Sequence, residues 1–315
     1  MTIDAGEHDA TGWGIPAPAY RLPAALRLGT ARLQIASLER SLSYYQRVLG
    51  LALLRRDARS ALLGTRAGMP IVELVERPGI RPSPHQARLG LYHFAILLPD
   101  RSALGRFITH LAAIGERAGA SDHLVSEALY LHDPDGLGIE VYADRPRDEW
   151  RTLDREIRMD TKPLDVESVV RCAHGATWDG VPDGTVPGHM HLHVTDLDAA
   201  ARFYHDGLGF DKMVWSYPGA LFLGAGGYHH HLGVNTWAGA AAPRASDEEA
   251  QLLDWGIVLP TARDVAAAAE RIAAAGYAVH LEGEAPLLTD PSGTRLRLVA
   301  ADSVAADGGP VSPPR

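Results

Sequence analysis

Histidines dominate the chemistry that this 315-residue sequence offers, because there are 15 of them and several are clustered. His189, His191 and His193 alternate along one apolar stretch, and residues 229–231 are three consecutive histidines. Since strand side chains repeat every two residues, the first three share one face if that stretch is a strand. Neutral imidazole is the commonest metal ligand and an acid–base group near neutral pH. The clusters indicate a metal site or a proton-transfer site, although any one histidine alone is more often a hydrogen-bonded strand residue.

The composition excludes several other kinds of site. Cys172 is the only cysteine, so an internal disulfide framework and a cysteine-based metal cluster are excluded. The formal net charge is −9 and no block of Lys and Arg offers phosphates a basic surface, so we expect no nucleic-acid partner. No apolar run reaches about 18 residues, and the first residues lack the segments of a secretory signal. We therefore expect a cytoplasmic protein that does not span a membrane.

Two segments of the chain resemble each other without a gap. GTARLQIASLERSLSYYQRVLGL, from Gly29, aligns with GHMHLHVTDLDAAARFYHDGLGF, from Gly188, so that Tyr45 matches Tyr204. Each segment alternates apolar and polar residues, changes to helical spacing and stops at a glycine. This pattern predicts a strand, a helix and a glycine cap.

A second pair of segments follows the same plan. YHFAILLPDRSALGRFITHLAAIG, from Tyr92, aligns with DWGIVLPTARDVAAAAERIAAAG, from Asp254, and each is followed by a turn and a strand. The chain therefore contains four modules of about 60 residues, each a strand, a helix and a short meander of strands. Because one module cannot bury both faces of its sheet, we expect the modules to pair into two curved-sheet domains of an α+β fold.

The modules define the expected domain organisation. Residues 28–145 form the first domain, from modules one and two, and residues 186–300 form the second, from modules three and four. Residues 1–27 are expected to be a loosely held N-terminal arm, and 301–315 a flexible tail. Residues 146–185 are a polar linker, with a short helix predicted within 164–173.

Four βαβββ modules that contain LERSLSYYQRVLG and DPDGLGIE resemble the vicinal-oxygen-chelate superfamily of glyoxalases, bleomycin-resistance proteins and extradiol dioxygenases. The resemblance covers about residues 28–300. GLYHFAILLPDR, HLVSEALYLHDPDG, GHMHLHVTD and GGYHHHLGVNTW are similar, more narrowly, to the two-domain catechol 2,3-dioxygenase group.

The resemblance implies a metal site. Metal-dependent members hold one divalent ion on two histidines and a glutamate, each on an inward-facing strand position. In modules two and three, the corresponding positions are His93, Glu140 and His189. Two histidines and one carboxylate suit Fe(II), which keeps three positions for a bidentate substrate and O2. Mn(II) is the alternative metal, because it accepts the same hard N and O ligands.

The same pattern predicts how the modules pair. In modules one and four the ligand positions hold Thr30, Asp254 and Arg297. Thr30 is a poor metal ligand, and the positive charge of Arg297 opposes a divalent ion at coordination distance. Only modules two and three together supply two histidines and a glutamate. We therefore expect module two to pack against module three, to form the metal-bearing half, and module one to pack against module four.

A longer match supports the extradiol resemblance. HLVSEALYLHDPDGLGIE, from His123 to Glu140, fits the family signature around the carboxylate, while Ser121, two positions before the histidine, is outside the few residue types usual there. The resemblance implies that His123 and Tyr130 donate hydrogen bonds to a substrate oxygen. A core tyrosine with a bonded hydroxyl is the alternative for Tyr130.

The histidine run at 229–231 is the third element of the resemblance. In extradiol enzymes a histidine on the last strand of the module that supplies the first ligand acts as acid and base. The candidate here is His231, or failing that His230, and an accidental run is the alternative. Which other histidines line the pocket stays open, and Trp237 is interpreted as structural or as pocket wall.

The resemblance thus implies an Fe(II)-dependent extradiol dioxygenase of aromatic catabolism. It would open a small aromatic diol of the catechol type with O2 and release a semialdehyde. One alternative is a glyoxalase-like lyase or isomerase, which needs a second carboxylate. The other is a non-enzymatic small-molecule binding protein of the bleomycin-resistance kind, which lacks the metal ligands. The ring substituents and the oligomeric state, including a homo-oligomer, are left open.

Overall fold

The computed structural model describes residues 12–84, 87–239 and 241–301. The first eleven residues of the predicted arm, and the predicted tail from residue 302 onward, lie outside the described residues. The described chain has the α+β fold that the modules predict, with two eight-stranded sheets.

The first two modules each contain the predicted strand, helix and meander. Their elements are β1 (Arg27–Ile35), α1 (Leu38–Arg47), β2 (Ala52–Arg56), β3 (Ser60–Gly64), β4 (Pro70–Glu76), β5 (Gly90–Leu97), α2 (Arg101–Ile114), β6 (Gly119–Asp122), β7 (Ser126–His132) and β8 (Gly138–Asp144). The linker follows with a short hairpin and the helix predicted within 164–173, as β9 (Thr152–Leu153), β10 (Glu156–Ile157) and α3 (Val166–Cys172).

The last two modules repeat the plan. Their elements are β11 (Val186–His193), α4 (Leu197–Ala201), β12 (Asp211–Val214), β13 (Ala220–Gly224), β14 (Leu232–Asn235), β15 (Gln251–Leu259), α5 (Ala262–Ala274), β16 (Val279–Glu282), β17 (Ala285–Thr289) and β18 (Arg295–Ala300). Helix α4 continues as one π-helical turn at Arg202–Gly207.

The helix of each module begins at a side-chain cap. A side-chain oxygen accepts a hydrogen bond from a first-turn backbone N–H, which satisfies a donor that the helix itself leaves unpaired. The capping residues are Ser37, Asp100, Asp196 and Thr261. Helix α2, with 14 residues, is the longest described helix, and no helix in the described ranges is long and apolar enough to cross a bilayer.

Each sheet joins two modules through an antiparallel pair of their first strands. In the sheet ordered β12-β13-β14-β11-β5-β8-β7-β6, β11 of module three pairs with β5 of module two. In the sheet ordered β16-β17-β18-β15-β1-β4-β3-β2, β15 of module four pairs with β1 of module one. The predicted pairing of modules is therefore confirmed. We call these the 2–3 sheet and the 1–4 sheet.

The hydrophobic core decides which face of the 2–3 sheet is free for chemistry. One continuous cluster contains residues of both sheets and of α1, α2, α4 and α5. On β11, Met190 and Leu192 belong to it, so His189 and His191 face the other way. On β8, Glu140 lies between two residues of the same cluster. Alternation along the strands thus places these three polar side chains on the opposite face.

The described part of the arm, residues 12–26, packs against β12. The Oδ1 atom of Asp211 accepts hydrogen bonds from the backbone N of Ala17 and from Nε of Arg21, both at 3.0 Å. Leu22 and Leu26 are buried in the main cluster. The sequence predicts a loosely held arm, whereas this ion pair and the two leucines hold these residues on the sheet.

Candidate metal centre

Three buried side chains from neighbouring strands meet on the polar face of the 2–3 sheet. The Nε2 atoms of His93, on β5, and His189, on β11, are 3.3 Å apart. The Oε2 atom of Glu140, on β8, lies 2.9 Å from the first and 3.1 Å from the second. Each side chain is less than a tenth exposed. The structure therefore brings together the three residues that the sequence singled out as ligands.

The spacing of these atoms fits a divalent ion. Neighbouring ligands of an octahedral ion with bonds of about 2.1 Å lie about 3.0 Å apart. Burial lowers the pKa of His93, which keeps its ring neutral. Burial raises the pKa of Glu140, but His189 and His93 outweigh this and hold it well below its usual range. Neutral imidazole and ionised carboxylate are the forms that bind metals.

The corresponding place on the 1–4 sheet holds an ion pair. The buried carboxylate of Asp254 accepts hydrogen bonds from Nε of Arg297 at 2.7 Å and from Nη1 of Arg32 at 2.8 Å. Two guanidinium groups therefore surround the carboxylate, and their charge opposes any bound cation. The carboxylate at this place is already paired, so we expect no metal on the 1–4 sheet.

The triad lines a cavity of about 210 Å³. Aromatic rings form part of its wall, and they are Tyr92, Tyr217, Phe222 and Trp237. The described lining residues include neither Lys nor Arg, and Glu140 is the only carboxylate among them. The cavity can thus hold a flat, uncharged aromatic ring beside the triad.

Tyr130 and His123 form a hydrogen-bonded pair in this cavity. Tyr130 lies directly opposite Glu140 in the pairing of β7 with β8. The Nδ1 atom of His123 lies 2.9 Å from the carbonyl oxygen of Asp160 and donates a hydrogen bond to it. The Tyr130 hydroxyl lies 2.6 Å from Nε2 of His123 and is also hydrogen-bonded to Glu140. Burial, together with Glu140, raises the pKa of Tyr130 well above its usual value, so it is a neutral phenol.

The structure places His230, and not His231, in the cavity. The ring centre of His230 lies 4.2 Å from that of His189. His231 lies one residue further along the chain, lines a different cavity with Leu26, and accepts a hydrogen bond from the backbone N of Ala225. Burial lowers the pKa of His231 to about 3. Of the two candidates for the acid–base residue, His230 is therefore the one that lines the cavity of the triad, since adjacent residues in extended chain face opposite ways.

The sequence did not decide which other histidines line the cavity. The structure places His191 in its wall and His193 and His229 outside it. His191 lines the cavity, with its ring centre 4.9 Å from that of His93. His193 shares its strand face but lies further along, where its Nδ1 atom is 2.6 Å from Oδ1 of Asn235. His229 is fully buried behind His230.

Sequence reasoning missed most of the aromatic wall and also Asp144, whose Oδ1 lies 2.8 Å from Nε2 of His229. Asp144 lies four residues after Glu140 on β8, so strand alternation places it on the same face, and this signal was available. Tyr217 and Phe222 come from β13 and the turn before it. Nothing in their spacing separates them from ordinary core aromatics.

Sequence comparison finds relatives along most of the chain. The sequence model of the "Glyoxalase/Bleomycin resistance protein/Dioxygenase superfamily" matches residues 27–141 and 187–298. A curated protein, catechol-2,3-dioxygenase of Bacillus subtilis (strain 168), is 44% identical over 277 residues, which are 86% of this chain and 96% of that protein.

Structural comparison finds the same fold. A protein from Bacillus subtilis subsp. subtilis str. 168 has a TM-score of 0.62 at 13% identity, over 89% of this chain and 86% of that one. Glyoxalase I from Zea mays has a TM-score of 0.56 at 20% identity, over 90% of this chain and 95% of that one. At these identities the likeness shows the fold alone.

Proposed function

Because the chain belongs to the glyoxalase/bleomycin resistance protein/dioxygenase superfamily, we propose that it is an extradiol dioxygenase. It opens a catechol-type ring with O2 to a semialdehyde, and it uses Fe(II) held by His93, Glu140 and His189. The observation that carries the proposal is the triad, whose ligand atoms lie within 4.8 Å of one another. Two histidines and one carboxylate are typical of non-haem Fe(II) oxygenases. The 44% identity to a catechol-2,3-dioxygenase supports the reaction and the substrate class.

When bound, Fe(II) supplies open positions for the two catechol oxygens and for O2 and lets electrons pass between them. The chain itself must hold the ring and keep out water. Tyr92, Phe222 and Trp237 offer aromatic surface against which a flat ring packs. Tyr130, hydrogen-bonded to His123, places its hydroxyl in the cavity beside Glu140, where it can hydrogen-bond a substrate oxygen.

His230 takes up the proton that a catechol hydroxyl releases and later returns it. Its ring lines the cavity beside His189. Burial lowers the pKa of His230 well below its usual value, so the resting ring is neutral. A positioned general base contributes about 10²–10⁴-fold to a rate.

The alternative functions have less support. A glyoxalase-like lyase or isomerase needs a second carboxylate at the metal, whereas Glu140 is the only one among the described residues that line the cavity. A non-enzymatic binding protein of the bleomycin-resistance kind has no need of a His, His, Glu triad, whereas this chain buries one.

Anaerobic reconstitution tests the proposal. The protein is loaded with Fe(II), Mn(II) or Zn(II) in separate samples, and catechol or 4-methylcatechol is then added with air-saturated buffer. We expect a yellow ring-fission product and one O2 consumed per catechol in the Fe(II) sample, and none with Glu140→Ala. Bound iron that yields no product from a broad panel of catechols would contradict the proposal. Activity in the Mn(II) sample alone would assign Mn(II) as the metal.

A further inference from the structure

We propose that Asp144 and His229 are positioning residues that set the tautomer of His230. They make His230 present a bare Nε2 atom to the cavity, ready to accept a proton. The catalytic meaning of this inference rests on the proposed function. The tautomer is a property of the chain and can be measured without metal or substrate.

A chain of two short hydrogen bonds carries the inference. The Nε2 atom of His229 lies 2.8 Å from Oδ1 of Asp144. The Nδ1 atom of His229 lies 2.7 Å from Nδ1 of His230. Asp144 is the last residue of β8, and its side chain is 25% exposed, whereas His229 is fully buried. The chain therefore runs from near the surface to the edge of the cavity.

His229 is also fixed in orientation by aromatic neighbours. Its ring centre lies 4.2 Å from that of Tyr228 and 5.1 Å from that of Trp150. A ring enclosed in this way cannot easily turn over to exchange its two nitrogens. The order of the nitrogens along the hydrogen-bond chain is thus set by packing.

Hydrogen-bond chemistry then determines where the hydrogens lie. A carboxylate only accepts hydrogen bonds, so Nε2 of His229 carries a hydrogen. With His229 neutral, that is its one hydrogen, and its Nδ1 is bare. The hydrogen between the two Nδ1 atoms must therefore belong to His230. That leaves Nε2 of His230, on the opposite edge of its ring, without a hydrogen.

The consequence concerns the base in the cavity. A free imidazole exchanges between two tautomers, one of which would direct an N–H into the cavity. That tautomer cannot accept a proton from a substrate hydroxyl through the same atom. Asp144 and His229 remove this inactive form, in the way that a carboxylate orients the histidine of a catalytic triad.

Nuclear magnetic resonance of the metal-free full chain tests the tautomer directly. The histidine rings are labelled with ¹⁵N, and long-range ¹H–¹⁵N correlations report which nitrogen carries hydrogen. Comparison with His230→Asn assigns the signals of His230. We expect a bare Nε2 in the wild type and a mixture of tautomers in His229→Phe. A protonated Nε2 in the wild type, or an unchanged tautomer in His229→Phe, would overturn the inference.

Kinetics of the Fe(II)-loaded protein test the consequence. We expect His229→Phe to lower kcat by about 10–100-fold, with little change in KM or iron content. The double variant His229→Phe/His230→Phe should be no slower than His230→Phe alone, because the positioning residue acts through His230. The matched control is His205→Asn, a buried histidine outside the cavity whose Nδ1 bonds the Phe210 carbonyl oxygen.

Each kinetic outcome decides one point. Equal losses from His229→Phe in the wild-type and His230→Phe backgrounds would show a merely structural role and overturn the inference. A similar loss in the His205→Asn control would do the same. If the wild type bound iron but turned over no catechol, the proposed function would fail, while the tautomer measurement would still decide the inference.

Discussion

On the 1–4 sheet, Nε of Arg297 donates a 2.7 Å hydrogen bond to Oδ1 of Asp254. The equivalent positions on the 2–3 sheet hold Glu140, in place of Arg297, and His93, in place of Asp254. The correspondence is visible in the strand register. Arg297 lies opposite Gly256, two residues after Asp254, and Glu140 lies opposite Ala95, two residues after His93. Two equivalent places in one repeat thus hold an ion pair in one sheet and two of the three candidate ligands in the other.

Asp254→Ala should therefore leave the metal content unchanged and lower the stability. Removing the buried carboxylate takes away the partner that Arg32 and Arg297 share and leaves each with one other, Glu73 and Glu282, so we expect a loss of about 3 kcal/mol or less. Metal per chain and urea unfolding of the metal-free protein measure the two effects. Loss of metal in Asp254→Ala as complete as in Glu140→Ala would show that the site has been misplaced.

His230→Phe should lower kcat by about 10²–10⁴-fold, because it removes the proposed general base but keeps a ring of similar volume. The iron content should stay near that of the wild type. His231→Asn, in which Oδ1 can replace Nδ1 as the acceptor for the Ala225 backbone N, should cost less than about tenfold. Steady-state kinetics with catechol measure both variants. A larger loss of kcat in His231→Asn than in His230→Phe would indicate that His231 is the general base.

The absence of Lys and Arg among the described cavity-lining residues predicts selectivity against anionic substrates. A carboxylate on the ring would lose its hydration there without a cationic partner. We expect kcat/KM for 4-methylcatechol to exceed that for 3,4-dihydroxybenzoate by at least about tenfold, or about 1.4 kcal/mol. Met159→Arg, which adds a cation to the cavity wall, should bring the kcat/KM values of the two substrates closer together. Equal values for both substrates in the wild type would contradict this description of the cavity.

Asp133 should make the stability depend on pH. The Tyr45 hydroxyl donates to it at 3.2 Å, and burial raises its pKa from 3.8 to about 7. Between these two values the folded chain binds the proton that the unfolded chain releases, so the free energy of unfolding falls as the pH rises. Ionisation of Asp133 therefore lowers the free energy of unfolding by about 4 kcal/mol at and above pH 7.

Urea unfolding of the metal-free protein between pH 4.5 and 8 measures this dependence. Asp133→Asn cannot ionise, so the wild type should lose stability relative to this variant as the pH rises towards 7. Asp57→Asn, at an exposed carboxylate, is the matched control and should follow the wild type. A difference between the wild type and Asp133→Asn that is constant over this range would contradict the prediction.

The internal repeat explains why much of the fold could be predicted. Each module shows its strand, helix and cap within about 60 residues, and local patterns of this kind need no knowledge of tertiary contacts. The pairing of modules could be predicted from chemistry, because the positive charge of Arg297 is unfavourable at coordination distance from a metal ion. The same repeat brings Tyr45 near Asp133 and Tyr204 near Asp290, at hydroxyl–carboxylate distances of 3.2 and 2.9 Å.

Details that depend on one residue of register could not be predicted. The choice between His230 and His231 depends on how the chain leaves the glycine turn at 226–227, and both positions fit the sequence pattern. The hydrogen-bond chain from Asp144 to His230 joins modules two and three, so it appears only when the sheet is assembled. The packed arm was missed because its anchor, Asp211, lies far along the chain.

The central claim is that one divalent ion lies between His93, Glu140 and His189. Crystals of the Fe(II)-loaded protein, grown without O2, would yield an anomalous difference map at the iron absorption edge. The account predicts one strong peak per chain at about 2.1 Å from the two Nε2 atoms and from a carboxylate oxygen of Glu140. A strong peak elsewhere in the chain, with none at this triad, would contradict it.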